Sequence, residues 1–451
     1  MDKEMGFGAD VKRRHIVSIV RYEKPGESAR EAVDACKGLE VLPRNSRVFI
    51  KPNIVFWTRE VAFPKWGVIT TSRVVEDMVL LLKERGIDDI MIGEGPTMAH
   101  PKDVDTPAHA FESLGYRTLE QRYGVRCINV HERPFDRVDL GDDVHLRMNR
   151  DLLESDFLVN LPVLKTHAQT VVSLGTKNLK GALDIPSRKK CHSADPHRDL
   201  NDMISRLPDV IPPSFTLLDG IYTNARGPGF DGKIRRSNLL IAGGDLLSTD
   251  MVGAEVLGYN PGEVPYLSIA AQRAGRPCDL SDIEIRGEDI QSVASRHEYT
   301  FPYTEDGSLP LPMKRLGIQG LTYRKYDLTM CTFCSFLNGV ILTAIAQAWN
   351  GEPWDDVEVL TGKSMSPTPG KKKTILMGKC IYQANKDHPD INRMFAVKSC
   401  PPSTKGILKA FHEAGIELNP SIFEHMEKAP GFFLKKYEGK PEFEESFFRI
   451  S

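Results

Sequence analysis

The sequence predicts an α/β protein: a doubly wound, mostly parallel sheet followed by a smaller C-terminal α/β unit that bears cysteines. Three observations carry that expectation. Short apolar runs alternate with segments of helical periodicity from His15 to Ile92, the rhythm of βαβ units. The length of 451 residues exceeds what one hydrophobic core usually holds. Four of the eight cysteines, Cys331, Cys334, Cys380 and Cys400, fall after residue 330, where the alternation restarts.

The elements follow in order. His15 to Val20 alternates and then stays apolar, a first strand. Glu27 to Leu39 reads as a helix. Arg47 to Ile50 is a second strand, closed by Lys51-Pro-Asn53, where proline ends the ladder. In Arg73 to Arg85, Val74, Val75, Met78, Leu81 and Leu82 recur at helical spacing after a Thr-Thr-Ser cap. Asp89 to Ile92 is a third strand, running into Gly93-Glu94-Gly-Pro96. Residues 120–150 mix short strand signals with charge and fit no single element. Asp156 to Asn160 is a buried strand, and Asp195 with Pro196 starts a helix. Phe215 to Leu218 is a strand ending at Asp219-Gly-Ile221, Ser237 to Ala242 another, and Ser248 to Leu257 a helix. Turn-rich residues 281–320 hold the domain boundary, giving an anion- or substrate-binding domain over 1–320 and a cysteine-bearing domain over 321–451. In the latter a helix follows Cys331 through Trp349, strands cover Lys373 to Met377 and Met394 to Val397, and a helix starts at Pro401 and runs to His412. The aromatic, charged tail from Phe432 is expected to pack on the body.

Composition excludes several classes. A net charge of −2 gives no electrostatic case for nucleic acid or an anionic membrane. No apolar run reaches the roughly 18–20 residues of a membrane helix, and residues 1–8 lack a signal-peptide core. A cytoplasmic protein is expected, and in a reducing compartment a local cysteine cluster points to metal before disulfide.

The densest chemistry follows the strand at Asp156 to Asn160. Leu161-Pro-Val-Leu-Lys-Thr-His167 and Gly175-Thr-Lys-Asn-Leu-Lys-Gly181 place Lys165, His167, Lys177, Asn178 and Lys180 close together. As a loop at the carboxyl end of a strand, this is where an open α/β sheet binds ligands. The ligand would be a small carboxylate or phosphate. Lys165, His167 and Lys177 are the catalytic candidates, His167 as an acid or base near neutrality. Lys51, Asn53, Glu94, Asn178, Lys180 and Asp219 are the substrate-binding candidates. The bland reading is a set of surface lysines and a packed histidine, with Lys51 and Asn53 ending a turn and Glu94 capping a helix. Arg188-Lys-Lys190 reads as a solvated face. The His192, Asp195, His197 and Asp199 set reads as a helix start, with histidines that are exposed or line the anion site, rather than as a metal site. Cys36, Cys127 and Cys278 read as buried apolar groups, and Cys191, beside the basic run, as the one that could ionise. No phosphate-loop or full dinucleotide fingerprint occurs.

Taken with Gly227-Pro-Gly229 and Thr249-Asp250, these blocks resemble the prokaryotic family known as domain of unknown function 362 over roughly residues 14–290. The Leu-Pro-x-Leu-Lys-Thr-His block with its Lys-Asn is the specific part. The resemblance implies a redox context, often iron–sulfur and anaerobic, through appended ferredoxin-like segments. The C-terminal cysteines here depart from the compact Cys-x2-Cys-x2-Cys run of a bacterial ferredoxin.

The cysteine spacing is read on its own. Cys331 and Cys334 can bind one centre from a single turn, and Cys380 and Cys400 each follow a strand. Zinc usually takes two close knuckles. One close pair with two lone ligands suits the larger four-iron, four-sulfur cluster better, with zinc as the alternative. The leading expectation is an iron–sulfur oxidoreductase or electron-transfer protein acting on a small anion. The alternatives are a non-redox lyase, isomerase or transferase with a structural or Lewis-acid cluster, and a binding or electron-carrier module without chemistry of its own. A redox partner protein and a homodimer are compatible with all three.

Overall fold

The computed structural model describes residues 14–96 and 103–450; the N-terminal stretch read for a signal peptide lies outside them. The main sheet has ten strands. Across it, in space, run Ile283–Gly287, His15–Arg21, Lys233–Gly243, Ser214–Ala225, Phe157–Asn160, Val48–Lys51, Ile90–Glu94 and Arg126–Asn129. Every neighbouring pair on this path is parallel except those involving Lys233–Gly243, which runs against both its neighbours. Two further strands, Val163–His167 and Val171–Ser173, extend beyond the path as a hairpin on Ser214–Ala225.

Apolar residues of the parallel strands face two different cores, because successive side chains point to opposite faces. Ile50, Ile92 and Val159 pack with the helices Glu27–Cys36 and Ser72–Glu84 on one face. Phe49, Leu158 and Ile241 pack with Leu200–Ser205, Leu246–Val256 and Pro265–Arg273 on the other. That is the doubly wound arrangement. The chain runs outward from Val48–Lys51 to Arg126–Asn129 and then returns to the opposite side of Val48–Lys51. The topological switch point therefore lies between Val48–Lys51 and Phe157–Asn160, where Lys51 pairs with Asn160 at the carboxyl edge. Ligands of open α/β sheets bind at such points.

A second sheet of four parallel strands, Leu321–Tyr323, Val357–Leu360, Lys373–Met377 and Met394–Val397, stands in chain order. The helices Thr332–Ala348 and Thr404–Ala414 cover one face with their own core. The tail returns to the first sheet. Tyr437 and Phe448 join its core, and the Tyr437 hydroxyl bridges Gly232 and Ile234.

Four local readings are corrected. The stretch after Asn160 is not a loop but the Val163–His167 strand and its hairpin partner. The strand expected to end at Leu218 continues to Ala225, so Asp219 lies inside it. A register shift between Gly220 and Tyr222 lets the ladder continue past the glycine. The helix expected at Asp195 begins at Leu200, capped by Asp199; Asp195 instead accepts from the His197 amide in a turn. Within 120–150 lies a two-stranded hairpin, Phe135–Asp139 with His145–Asn149.

Candidate functional site

At the switch point the predicted residues form a buried polar network. Lys51 and Glu94 leave neighbouring strands and pair at 2.7 Å, both almost without exposure. Burial outweighs the attraction of Glu94 and lowers the Lys51 pKa. Glu94 also accepts from the amides of Ile54 and Gly95. Asn178 donates to Asn160 and to the carbonyls of Lys51 and Pro52, and accepts from Asn53. Lys165 donates to the Asn53 side chain at 2.6 Å and to the Val68 carbonyl at 2.8 Å. Its burial pushes its pKa down to about 7. Asp219 accepts from the amides of Thr71 and Ile221, and burial raises its pKa to about 6.

These partners show how the expected residues are held. Asn53, Asn178, Glu94 and Asp219 spend their hydrogen bonds on other loops and on the start of helix Ser72–Glu84. They fix the carboxyl edge of the sheet rather than line an open cleft. Gly181 is part of the same fit: a Cβ there would stand 2.7 Å from Lys51 Nζ.

His167 is also not poised to titrate near neutrality. Burial, and then Lys177, Lys180, His192 and Lys165, hold its pKa well below the usual imidazole range. Its Nδ1 accepts from the Gln169 amide, which leaves a neutral ring with Nε2–H as the available donor. Burial and the neighbouring Lys180 and Lys165 likewise lower Lys177. Lys180 meets His192 Nε2 at 2.8 Å, and burial holds it down to about 8. Cys191 is fully buried and its thiol is raised, so it is no reactive thiolate.

The four C-terminal cysteines lie together. Cys331 caps helix Thr332–Ala348 and Cys334 lies in its first turn. Cys380 follows strand Lys373–Met377 and Cys400 follows Met394–Val397. All four line one cleft with Thr329, Lys363, Gly378 and Ser399. Parallel strands deliver their carboxyl ends to one side of a sheet, which brings loops far apart in sequence to one place. The neighbouring Cys334 thiol holds Cys331 below the usual thiol range and is itself raised. Lys189 Nζ stands 3.7 Å from Cys400 Sγ. Gly378, at φ 111°, brings its backbone so near that a Cβ would be 3.9 Å from Cys334 Sγ. Among the described residues no three histidine, cysteine, aspartate or glutamate side chains converge tightly enough to hold one metal ion. The thiols border a space instead of meeting at a point.

The two centres adjoin. Gln169 donates to the carbonyls of Asp327 and Met330, just before Cys331. His192 Nδ1 meets the Leu328 carbonyl at 2.8 Å, and Lys363 donates to the carbonyls of Lys189 and His192. The sequence reading sets Arg188 and Lys189 aside as a solvated face, leaves His192 either exposed or at the anion site, and passes over His131, Asn160 and Lys363. Only the density of cations at Arg188-Lys-Lys190 signalled them; Lys189 meets Cys400, His192 meets Leu328 and Lys363 meets Lys189 across more than 100 residues of chain.

Fold and geometry define a class: a doubly wound α/β domain with a polar centre at its switch point, set against a parallel sheet that carries a cysteine cleft. The family follows. Residues 48–255 match the model described as Domain of unknown function (DUF362), and this region belongs to that family. The cysteine-bearing part lies beyond the match. A thylakoid-associated protein of Synechocystis sp. is 28% identical over 233 residues, 51% of this chain and 68% of that protein. The lactate racemase apoprotein from Thermoanaerobacterium thermosaccharolyticum aligns with 14% identity and a TM-score of 0.32, covering 56% of this chain and 59% of that one. Among the described residues no helix is long and apolar enough to cross a membrane.

Proposed function

We propose that this protein is an iron–sulfur protein that exchanges electrons with a small anion held between its two sheets. One observation carries the reading: four cysteines from three strand ends line a single cleft directly against the basic segment of the DUF362 region. The donor set fits a four-iron, four-sulfur cluster. It is all thiol, the four cysteines line one cleft, and Lys189 and the start of helix Thr332–Ala348 offset negative charge. Cys331, Cys334, Cys380 and Cys400 would hold it, and when bound it would supply one-electron transfer. The chain's own residues would set the environment. Lys189 and Lys363 place positive charge beside the thiolates, while His192 and Gln169 fix the segment before Cys331. Lys165 and Lys180, each with a depressed pKa, could hand on a proton near neutral pH. A cytoplasmic setting goes with thiolate ligands, which need a reducing compartment.

The test is the full chain purified without oxygen. About four iron and four sulfide per chain are expected, with broad visible absorbance that bleaches on reduction. Cys380→Ala and Cys400→Ala should each lower iron content while leaving the far-UV circular dichroism in place. A colourless protein with one zinc per chain would overturn the reading.

A further inference from the structure

We propose that a second cleft, lined by His131, Ile185, Arg188, Lys189, Thr332 and Phe333 and touching Cys331, binds a small carboxylate with an apolar body. The inference deepens the function proposed above, resting on it for why a ligand should sit beside Cys331. It moves the substrate site away from Asn53, Asn178 and Asp219, whose hydrogen bonds are already taken.

The charge balance points to an anion. Lys180, Arg188, Lys189 and Lys363 meet at the junction of the two sheets. Among the described residues none of them makes an ion pair, whereas Lys51 has Glu94. No carboxylate lines the cleft. His131 is kept neutral by burial and by Arg188, with its pKa held down to about 3, so it offers no competing charge.

The donors are also in place. Arg188 spends Nε on the Leu183 carbonyl and one terminal nitrogen on the Gly181 carbonyl. Among the described residues its other terminal nitrogen has no protein partner, and an anchored guanidinium with free N–H groups suits carboxylate geometry. Lys189 stands 4.7 Å over the Phe333 ring, and helix Thr332–Ala348 opens here with its N-terminal amides. Ile185 and Phe333 make the rest of the wall apolar. No lining residue is a glycine, so the backbone cradle that usually wraps a phosphate is missing.

The experiment uses the full chain purified anaerobically, with iron counted first and binding followed by calorimetry. Benzoate is the probe, benzamide its neutral isostere and inorganic phosphate the competitor class. Benzoate should bind one per chain, with benzamide and phosphate at least about 10-fold weaker. Arg188→Met and Lys189→Met should each weaken benzoate by roughly 10- to 100-fold. Because Arg188 also ties Gly181 and Leu183, its variant can fail to fold. Lys189→Met, and Phe333→Ala tested with benzoate against acetate, then carry the test; Phe333→Ala should lose benzoate affinity and keep acetate affinity. Iron-loaded protein that ignores benzoate, prefers phosphate, or binds benzoate unchanged in Lys189→Met overturns the subsite and leaves the cluster standing. Iron-free protein that binds benzoate with the same variant dependence overturns the cluster and supports the subsite. Protein with neither iron nor benzoate binding overturns both.

Discussion

Glu94→Gln is expected to loosen the carboxyl edge of the main sheet more than any other single change at the switch point. The substitution keeps the shape and removes the charge that faces Lys51 at 2.7 Å, at a place where neither side chain reaches solvent. A buried pair broken from one side leaves an uncompensated charge, at a cost of about 3–5 kcal/mol. Burial already lowers Lys51 despite its partner, so without Glu94 the ammonium loses its proton more readily. The cost should therefore shrink as pH rises. Replacing both residues, Lys51→Met with Glu94→Met, should cost less than the sum of the single changes, because no charge is stranded. Native-state hydrogen exchange over residues 48–54 and 90–95 reads the effect. At pH 7 the opening free energy in Glu94→Gln should fall by about 3–5 kcal/mol, a protection loss of roughly 100-fold or more. A loss below about 1 kcal/mol, or strict additivity in the double variant, would refute the idea that this pair is a closed buried unit.

Three further outcomes follow from the same centre. Gly181→Ala should cost about 1–3 kcal/mol in chemical denaturation, because its Cβ would meet Lys51 Nζ at 2.7 Å and Glu94 Oε1 at 3.3 Å; an unchanged midpoint would contradict it. Lys165 loses its proton near 7 when folded and near 10.5 when unfolded, so unfolding takes up a proton between those values and stability rises with pH there. Lys165→Met should remove that rise, and a parallel pH profile for variant and parent would count against it. Asp250 accepts from the Gly175 and Thr176 amides and is pushed up to about 7 by burial. The folded state therefore keeps a proton between about 4 and 7 that the unfolded state releases, so stability falls as pH rises through that window. Asp250→Asn should flatten the fall, as measured by denaturation midpoints at pH 4, 5.5 and 7.

What was legible in the sequence was whatever period and composition encode. The strands at Val48–Lys51, Ile90–Glu94, Phe157–Asn160, Lys373–Met377 and Met394–Val397 all lie where apolar runs end in polar punctuation, and their carboxyl ends do carry the residues singled out. The cysteines at Cys380 and Cys400 were readable for the same reason. Two kinds of information were not. A hairpin such as Val163–His167 with Val171–Ser173 looks like a loop because its lysine and histidine are polar, although both are buried by distant strands. Saturation of a side chain was equally invisible. Asn178 reads as an available amide until Lys51, Pro52, Asn53 and Asn160 are seen to occupy it.

That saturation bears on how the two sheets divide the work. A polar centre that has closed its own hydrogen bonds can position loops, but it has little left for a ligand. A guanidinium nitrogen without a partner among the described residues lies farther out, at Arg188, where the basic segment meets the cysteine cleft. Glu94 and Asp184 attract Arg188, and Glu94 and Asp219 attract Lys165, but neighbouring cations repel one another and the cost of burial still lowers both pKa values. Lys165, Lys177 and Lys180 answer part of that cost by lowering their affinity for protons. Arg188 cannot, because a guanidinium stays charged. An anion on the cysteine side would add to what Glu94 and Asp184 supply at Arg188. A cluster held in the cysteine cleft and a carboxylate beside Phe333 would each supply one. On this argument the charge of the basic segment in the first sheet and the thiols of the second are a single electrostatic unit, and neither half is balanced alone.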